Sequence, residues 1–344
     1  MNRSAVWIAA LLLAGSLPAQ EEKKADRPYP LMVGDPSPPL AVQTWVKGDA
    51  SGALEKGKVT VVEFWATWCG PCIHNMPHLS DLQERYAEKG VKVVGVNIWD
   101  DPAKVEPFMR ETAPIHDKSG DEIMRYAVAI EEKEDPDDVE KGKMAREWMA
   151  AAGRDGIPCA FLVDREGRIA WIGHPASLDE PLAKVVAGEW DLEAEKSAYA
   201  ARMAQKAKIA SYHRLFGEGN YAEAYALGRE VVRGSLANDA LGLNLLAWNI
   251  VDPVKPPKVR DLDLALEAAK RANELTKSED PHVLDTLAMV HHERKDLSEA
   301  LRWQRLAAKF AKGKPVEEEV LARLKEFEEE SAKIEAAGRK DPEK

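Results

Sequence analysis

The chain has 344 residues, too many for one ordinary domain and suited to two. Hydrophobic residues make up 45% and charged residues 31%, a balance that supports soluble, globular parts. A formal net charge of −11 lacks the concentrated basic surface that phosphate binding needs, so no nucleic-acid partner is expected.

The N-terminus reads as a targeting signal. Arg3 precedes the apolar run VWIAALLLA over Val6–Ala14, which is too short for a comfortable membrane span. Leu17-Pro18-Ala19 then offers a small residue for signal peptidase, so residues 1–19 are expected to be a signal peptide. An uncleaved anchor is the alternative. In both cases the rest of the chain is expected outside the cytoplasm, in a periplasm or cell envelope. Residues 20–30 (QEEKKADRPYP) are charged and proline-bearing and predict a disordered linker. No later segment approaches the ~20 apolar residues of a transmembrane helix.

Val33-Gly34-Asp35-Pro36-Ser37-Pro38 opens the folded part with turn residues. Lys58–Trp65 (KVTVVEFW) is almost continuously apolar and β-branched, as a central buried strand should be. Residues 71–88 follow a helical pattern, Val91–Asn97 (VKVVGVN) reads as a second buried strand, and Pro102–Glu111 as a helix. Ala160–Val163 and Arg168–Ile172 predict two strands joined by the turn Asp164-Arg165-Glu166-Gly167. This order implies an α/β layer fold with a mixed sheet over residues 31–190. The stretch from Ile115 to Gly156 is expected to decorate one rim of that sheet. Within it, Glu131–Asp138 (EEKEDPDD) predicts an acidic surface excursion, and Lys143–Ala152 a short helix closed by Gly153.

After about Asp191 the strand signals stop, and residues 191–344 read as helical almost throughout. The pattern also repeats: Ala224, Ala265 and Ala300 mark similar segments spaced by 41 and 35 residues. An insertion, Asp252-Pro253-Val254-Lys255-Pro256-Pro257, accounts for the longer interval. Small residues at these points let paired helices approach closely, a pattern that resembles about three imperfect tetratricopeptide repeats. Residues 316–337 read as a charged capping helix. A generic helical bundle is the alternative, and Trp248 and Trp303 are assigned to helix–helix cores.

The three cysteines are Cys69, Cys72 and Cys159. A disulfide between Cys69 and Cys72 closes so small a loop that it removes little unfolded-chain entropy, so reactivity explains the pair better than stability. Cys69 is placed where a strand gives way to a helix. There the unpaired N–H groups and the macrodipole favour a thiolate, which lowers its pKa and makes it the attacking sulfur. Cys72, one turn further and more buried, is the natural resolving thiol. Pro71 removes an N–H that would be unsatisfied anyway, and Pro77 is expected to kink the helix. A zinc site would need two further ligands. His74 and His78 stand at i, i+4, but Pro77 lies between them and no matching carboxylate motif follows, so they are assigned to solvent or to a partner. No metal and no cofactor is expected beyond a redox-active Cys69–Cys72 disulfide.

Glu63–Cys72 (EFWATWCGPC) resembles the active-site strand and helix of the thioredoxin superfamily in nearly every position. VGDPSPP near the start, and Gly156-Ile157-Pro158 followed by FLVDREGRIAWIGHP, resemble its exported TlpA/ResA-like, or redoxin, branch over roughly residues 31–190. The resemblance implies that Pro158 is a cis-proline facing the cysteines, with Ile157 offering backbone groups to a substrate strand. It implies that Glu63 is a buried acid that accepts the Cys72 proton during resolution. Trp68, Gly70, Pro71, Ile73, Ile157 and Pro158 would then form an apolar docking face. The chain departs from the branch at Ile73, where a basic residue is common, and at Cys159, directly after the presumed cis-proline. A buried, inert Cys159 is preferred to a third redox partner. His174-Pro175 is read as turn geometry.

The leading function is thiol–disulfide exchange on exported protein substrates. Reduction and oxidation both remain open, because ~30 mV of potential corresponds to only about 1.4 kcal/mol. A reductant in an oxidising compartment would need a membrane electron donor. A thiol peroxidase is a second reading, since Thr67 lies near Cys69, although Cys72 favours exchange. The third is a scaffold in which the helical repeats bind a peptide or protein, a role that can coexist with catalysis as client recruitment.

Overall fold

The computed structural model describes residues 27–113, 116–135 and 138–339. The expected signal peptide and most of the expected linker lie outside these residues. Arg27 and Tyr29, expected in the linker, are already in place: Arg27 Nη1 lies 2.7 Å from Asp35 Oδ1. Tyr29 packs over Gly153, whose left-handed φ of 64° and contact with the tyrosine ring leave no room for a side chain.

A mixed six-stranded sheet carries the N-terminal half, in the order β1 (Val42–Lys47), β6 (Ala127–Glu131), β3 (Val91–Asn97), β2 (Val59–Trp65), β7 (Cys159–Val163) and β8 (Ile169–Gly173). At its centre β2 runs parallel to β3 and antiparallel to β7. Every residue of β2 is buried, because helices cover both faces of the sheet. The period of two divides the strand. Val59, Val61 and Trp65 face a core shared with α1 (Gly70–Tyr86), while Val62 and Phe64 face a second core containing Trp148. β8 (Ile169–Gly173) pairs with β7 across the expected turn, where Gly167 takes a φ of 81°. The result is the thioredoxin-like arrangement expected from the sequence.

The stretch 115–156 is more than a rim decoration. Ala127–Glu131 enters the sheet as β6, parallel to β3 and antiparallel to the edge strand β1 (Val42–Lys47). Glu131 is fully buried rather than the start of a surface excursion. Its carboxylate accepts a 2.8 Å bond from the Ala145 N–H and lies 3.2 Å from Lys133 Nζ. Those two contacts only partly offset the desolvation, and burial still pushes the Glu131 carboxyl's pKa up. The expected helix at 143–152 is a π turn over Ala145–Met149 continued as a 3₁₀ turn over Ala150–Ala152. Its Trp148 ring meets Phe161 edge-on at 5.3 Å. On the opposite side α2 (Val105–Arg110), the short pair β4 (Thr112–Ala113) and β5 (Lys118–Ser119), and α3 (Gly120–Ile123) flank α1. α4 (Asp179–Ala187) ends the sheet domain.

The remaining chain is helical, as expected. α5 (Leu192–Gly217), α6 (Tyr221–Arg233), α7 (Ala240–Val251), α8 (Leu262–Leu275), α9 (Pro281–Glu293) and α10 (Leu297–Ala311) pack as three successive hairpins, closed by α11 (Glu317–Arg339). Asp191, Asp239, Asp261, Asp280 and Asp296 cap α5, α7, α8, α9 and α10 by accepting first-turn N–H bonds. Ala224, Ala265 and Ala300 are fully buried between helices. α11 is fastened through Gln304, which donates to Asp285 Oδ1 at 2.7 Å and to the Val320 carbonyl at 3.0 Å.

The sequence boundary near Asp191 does not separate two cores. Tyr199 and Met203 of α5 belong to the second sheet core, and Tyr212 of the same helix belongs to the core of the helical hairpins. One uninterrupted helix serves both.

A methyl group at Gly142 would meet the Glu131 carboxyl carbon at 1.9 Å. Gly142→Ala is therefore expected to lower stability by ~1–3 kcal/mol in urea unfolding. Unchanged stability would mean that the buried Glu131 carboxylate moves aside without cost.

Candidate active site

Cys69 caps the N-terminus of α1, and its sulfur accepts the Cys72 N–H at 3.2 Å. The two cysteines form a disulfide with Cα atoms 5.2 Å apart. Gly70 and Pro71 are the first two helical residues. A sulfur in this position faces the unpaired N–H groups of the first turn, which stabilise it as a thiolate when the bond is reduced. The helix runs on through Pro77 without ending. The carbonyl of Ile73, four residues earlier, loses its helical donor to the proline, and His116 Nε2 stands 3.0 Å from it instead.

The loop before Cys69 is held from β3. Asp100 is buried, and its Oδ2 accepts from the Thr67 N–H at 2.6 Å and from Asn97 Nδ2 at 3.2 Å. Trp68 is 61% exposed, with its Nε1 donating to the Trp99 carbonyl at 3.1 Å. The Ile157–Pro158 peptide bond is cis. Because Cys159 pairs with Phe64, Pro158 lies beside the end of β2 from which the Cys69 loop departs. Ile157 is half-buried, whereas Ile73 is only 6% exposed and packs into the α1 core instead of rimming a docking face.

Glu63 shares the α1 face of β2 with Val61 and Trp65, the face that also carries Cys72. It is fully buried, and neither carboxyl oxygen has a hydrogen-bond partner among the described residues. Burial alone pushes its pKa up to about 8, so the group is neutral over most of the physiological range. Gly95, paired with Glu63 on β3, makes the space: a Cβ there would lie 3.3 Å from Glu63 Oε2 and 2.9 Å from Tyr126 Cε2. The Tyr126 hydroxyl is also buried without a partner, and burial together with the Glu63 charge raises its pKa well above the usual value.

Cys159 lies on the other face of the sheet. It pairs directly with Phe64 and packs in the core that contains Trp148, so the sheet stands between it and the disulfide. Burial pushes its thiol up, partly countered by the Arg154 guanidinium. His74 and His78 are engaged separately. The His74 ring stacks on His116 with centroids 6.1 Å apart, and His78 Nε2 lies 2.9 Å from Asp179 Oδ2. The His174 ring accepts the Ala176 N–H at 3.2 Å, which is a turn contact. Asp100, Gly95 and His116 were not legible as site residues. Their roles depend on backbone atoms and spaces supplied by other elements.

Residues 33–186 match the Redoxin family model, and this span contains the strand, helix and cis-proline just described. That span, less than half of the chain, is similar to a redoxin domain. Protein FixW of Rhizobium leguminosarum is 29% identical over 161 residues, covering 46% of this chain and 68% of FixW. The thiol-disulfide oxidoreductase ResA of Oceanobacillus iheyensis is 43% identical over 70 residues, covering 19% of this chain and 36% of ResA. The thiol:disulfide interchange protein HelX of Rhodobacter capsulatus is 32% identical over 116 residues, covering 34% of this chain and 52% of HelX. Apart from FixW, the chain thus spans about half or less of these relatives. Among solved structures, a putative thiol:disulfide interchange protein DsbE from Chlorobium tepidum shows 27% identity and a TM-score of 0.34, covering 45% of this chain and 99% of its own. ResA and HelX are named for thiol–disulfide chemistry, and the matched span is similar to them.

The Glu63 carboxyl makes the stability of the sheet domain pH-dependent. In the folded state its pKa is about 8, against 4.5 for the free group, so folding retains a proton that the unfolded chain releases. Stability from this group is complete below pH 4.5 and falls as the pH rises towards 8. At neutral pH the cost is about 3 kcal/mol, from ~1.4 kcal/mol per pH unit. Glu63→Gln is expected to flatten this slope and to raise stability near pH 7 in urea unfolding followed across pH. Parallel pH profiles for the two proteins would show that Glu63 ionises normally.

Proposed function

We propose that the protein exchanges thiols and disulfides with exported protein substrates through Cys69 and Cys72. The observation that carries this reading is the disulfide at the start of α1 with a fully buried, unpartnered Glu63 carboxyl on the same face of β2. A carboxyl with a pKa of about 8 is matched to thiol chemistry, because an ordinary thiol titrates near 8.5. A proton then passes between Cys72 and Glu63 at little free-energy cost.

In the reducing direction, the Cys69 thiolate attacks one sulfur of a substrate disulfide. The substrate S–S bond breaks, a substrate thiolate leaves, and a mixed disulfide forms on Cys69. Cys72 gives its proton to ionised Glu63 and attacks the Cys69 sulfur. The second substrate thiolate leaves, and two electrons have passed from the protein to the substrate. In the oxidising direction, a substrate thiolate attacks Cys69 of the disulfide. Cys72 leaves and takes the proton held on neutral Glu63. The second substrate thiolate then displaces Cys69, and the two electrons pass the other way. Trp68, Gly70, Pro71, Ile157 and Pro158 form the face that receives the substrate segment, with Ile157 offering backbone groups. Running as a reductant outside the cytoplasm, the protein draws electrons from a donor in the membrane.

The helical hairpins support recruitment of the client. Read as tetratricopeptide-like repeats, the three successive hairpins would present a concave surface to peptides. Leu241 and Leu245 stand exposed on α7 and line a cavity with Trp248 and His282, which fits such a surface.

Cys72→Ser is expected to arrest the reaction at the mixed disulfide and to trap an exported protein on Cys69, released by dithiothreitol and identified by mass spectrometry. Cys69→Ser should abolish both trapping and turnover. Absence of any adduct, with a wild type that neither reduces nor oxidises a model disulfide, would overturn the proposal. Hydrogen-peroxide consumption by the wild type but not by Cys69→Ser would reassign the site to a thiol peroxidase.

A further inference from the structure

A cavity of about 650 Å³ reaches Trp68, the residue before Cys69, and its lining comes from both halves of the chain. Trp68 and Trp99 form one wall, with Tyr29 and Val139 beside them. Trp68 and Val139 are among the few large apolar side chains exposed among the described residues. Arg154 lies at the start of the loop that leads to cis-Pro158, and Lys206 and Ala210 come from α5. The volume is that of a site for a few residues of extended chain or a small ligand.

The charges in this groove are not balanced alike. Lys206 is satisfied, donating to the Gly153 carbonyl at 2.8 Å and pairing with Asp155 at 3.0 Å. Glu140 stands on an exposed rim, where water screens it. Arg154 is half-buried, and no carboxylate lies within ion-pairing distance of its guanidinium among the described residues. Its close neighbour is the Cys159 thiol, with Asp155 already engaged by Lys206. A guanidinium so placed offers a planar fork of donors to an incoming carboxylate.

We propose that this groove holds the client segment adjoining its reactive cysteine, with an apolar or aromatic side chain against Trp68, Trp99 and Val139 and a neighbouring carboxylate on Arg154. The inference rests on the exchange reading above and narrows its substrates to apolar, acid-bearing segments. The argument is one of continuity and charge. A client sulfur bonded to Cys69 brings its flanking residues to Trp68, and an extended chain advancing ~3.3 Å per residue enters the groove within a few positions. The helical half thereby supplies a wall of the redox site through α5.

The test uses the full chain and three two-cysteine peptides that share a leucine near the cysteine and differ at the next position in Glu, Gln or Lys. The Glu peptide should exceed the Gln peptide in kcat/KM by about fivefold, with the Lys peptide lowest and the preference fading in salt. Arg154→Gln should erase the Glu preference, and Arg154→Lys should restore part of it. Val139→Asp, on the exposed rim, should raise KM for the leucine peptides and lower it for none of them. Equal kcat/KM for all three peptides with the wild type would overturn the groove while leaving exchange standing. Failure of the wild type to act on any peptide or on oxidised glutathione would overturn the exchange reading itself. Self-association that Val139→Asp abolishes, without any peptide preference, would assign the groove to a second copy of the chain and overturn the proposal.

Discussion

A carboxyl group sealed into the middle of a fully buried strand constrains everything near it. Placing a polar group in an apolar interior without a partner costs on the order of 1–3 kcal/mol even when it is neutral, and far more when it is charged. Glu63 meets that cost because β2, apart from Thr60, is otherwise apolar and is buried on both faces, in two separate cores. Its neighbours are chosen to leave space rather than to bind it. Gly95 removes a side chain beside it, and the Tyr126 hydroxyl is as unpartnered as the carboxyl. The group is thus kept neutral but ready to ionise, which is the state that thiol chemistry can use.

Much of this arrangement was legible in the chain. The run KVTVVEFW showed a central strand because an acid surrounded by β-branched and aromatic residues has nowhere polar to point. The Cys69 loop and the Asp164–Gly167 turn carry local signals that do not depend on distant partners. β6 escaped notice for the opposite reason. It has five residues, and it ends in Glu131, whose buried carboxyl is held by an amide at Ala145 and an amine at Lys133. Read along the chain, Glu131 begins an acidic run; read in space, it ends a strand. Asp100 and His116 were equally hidden, since they act on backbone atoms across loops.

The sheet also explains why three cysteines make one disulfide and leave Cys159 apart. Antiparallel pairing puts Cys159 beside Phe64 and on its face, while the α1 face carries Cys72 and Glu63. A thiol two positions from Ile157 in sequence is therefore insulated from the disulfide by a layer of backbone. The histidines near Cys72 divide in the same way, one stacked on His116 and the other set against Asp179.

The last point concerns α5. A flexible tether would let the two halves drift and melt on their own. A single helix of 26 residues, ~39 Å long at 1.5 Å per residue, does neither. Tyr199 plugs the sheet core and Tyr212 the hairpin core, two residues a few turns apart on one rigid rod. Unravelling either core frays the rod that the other packs upon, so the cooperative unit of unfolding is larger than either architectural half. The redoxin span alone, cut at the sequence boundary, would keep its cysteines and lose a wall of its own interior.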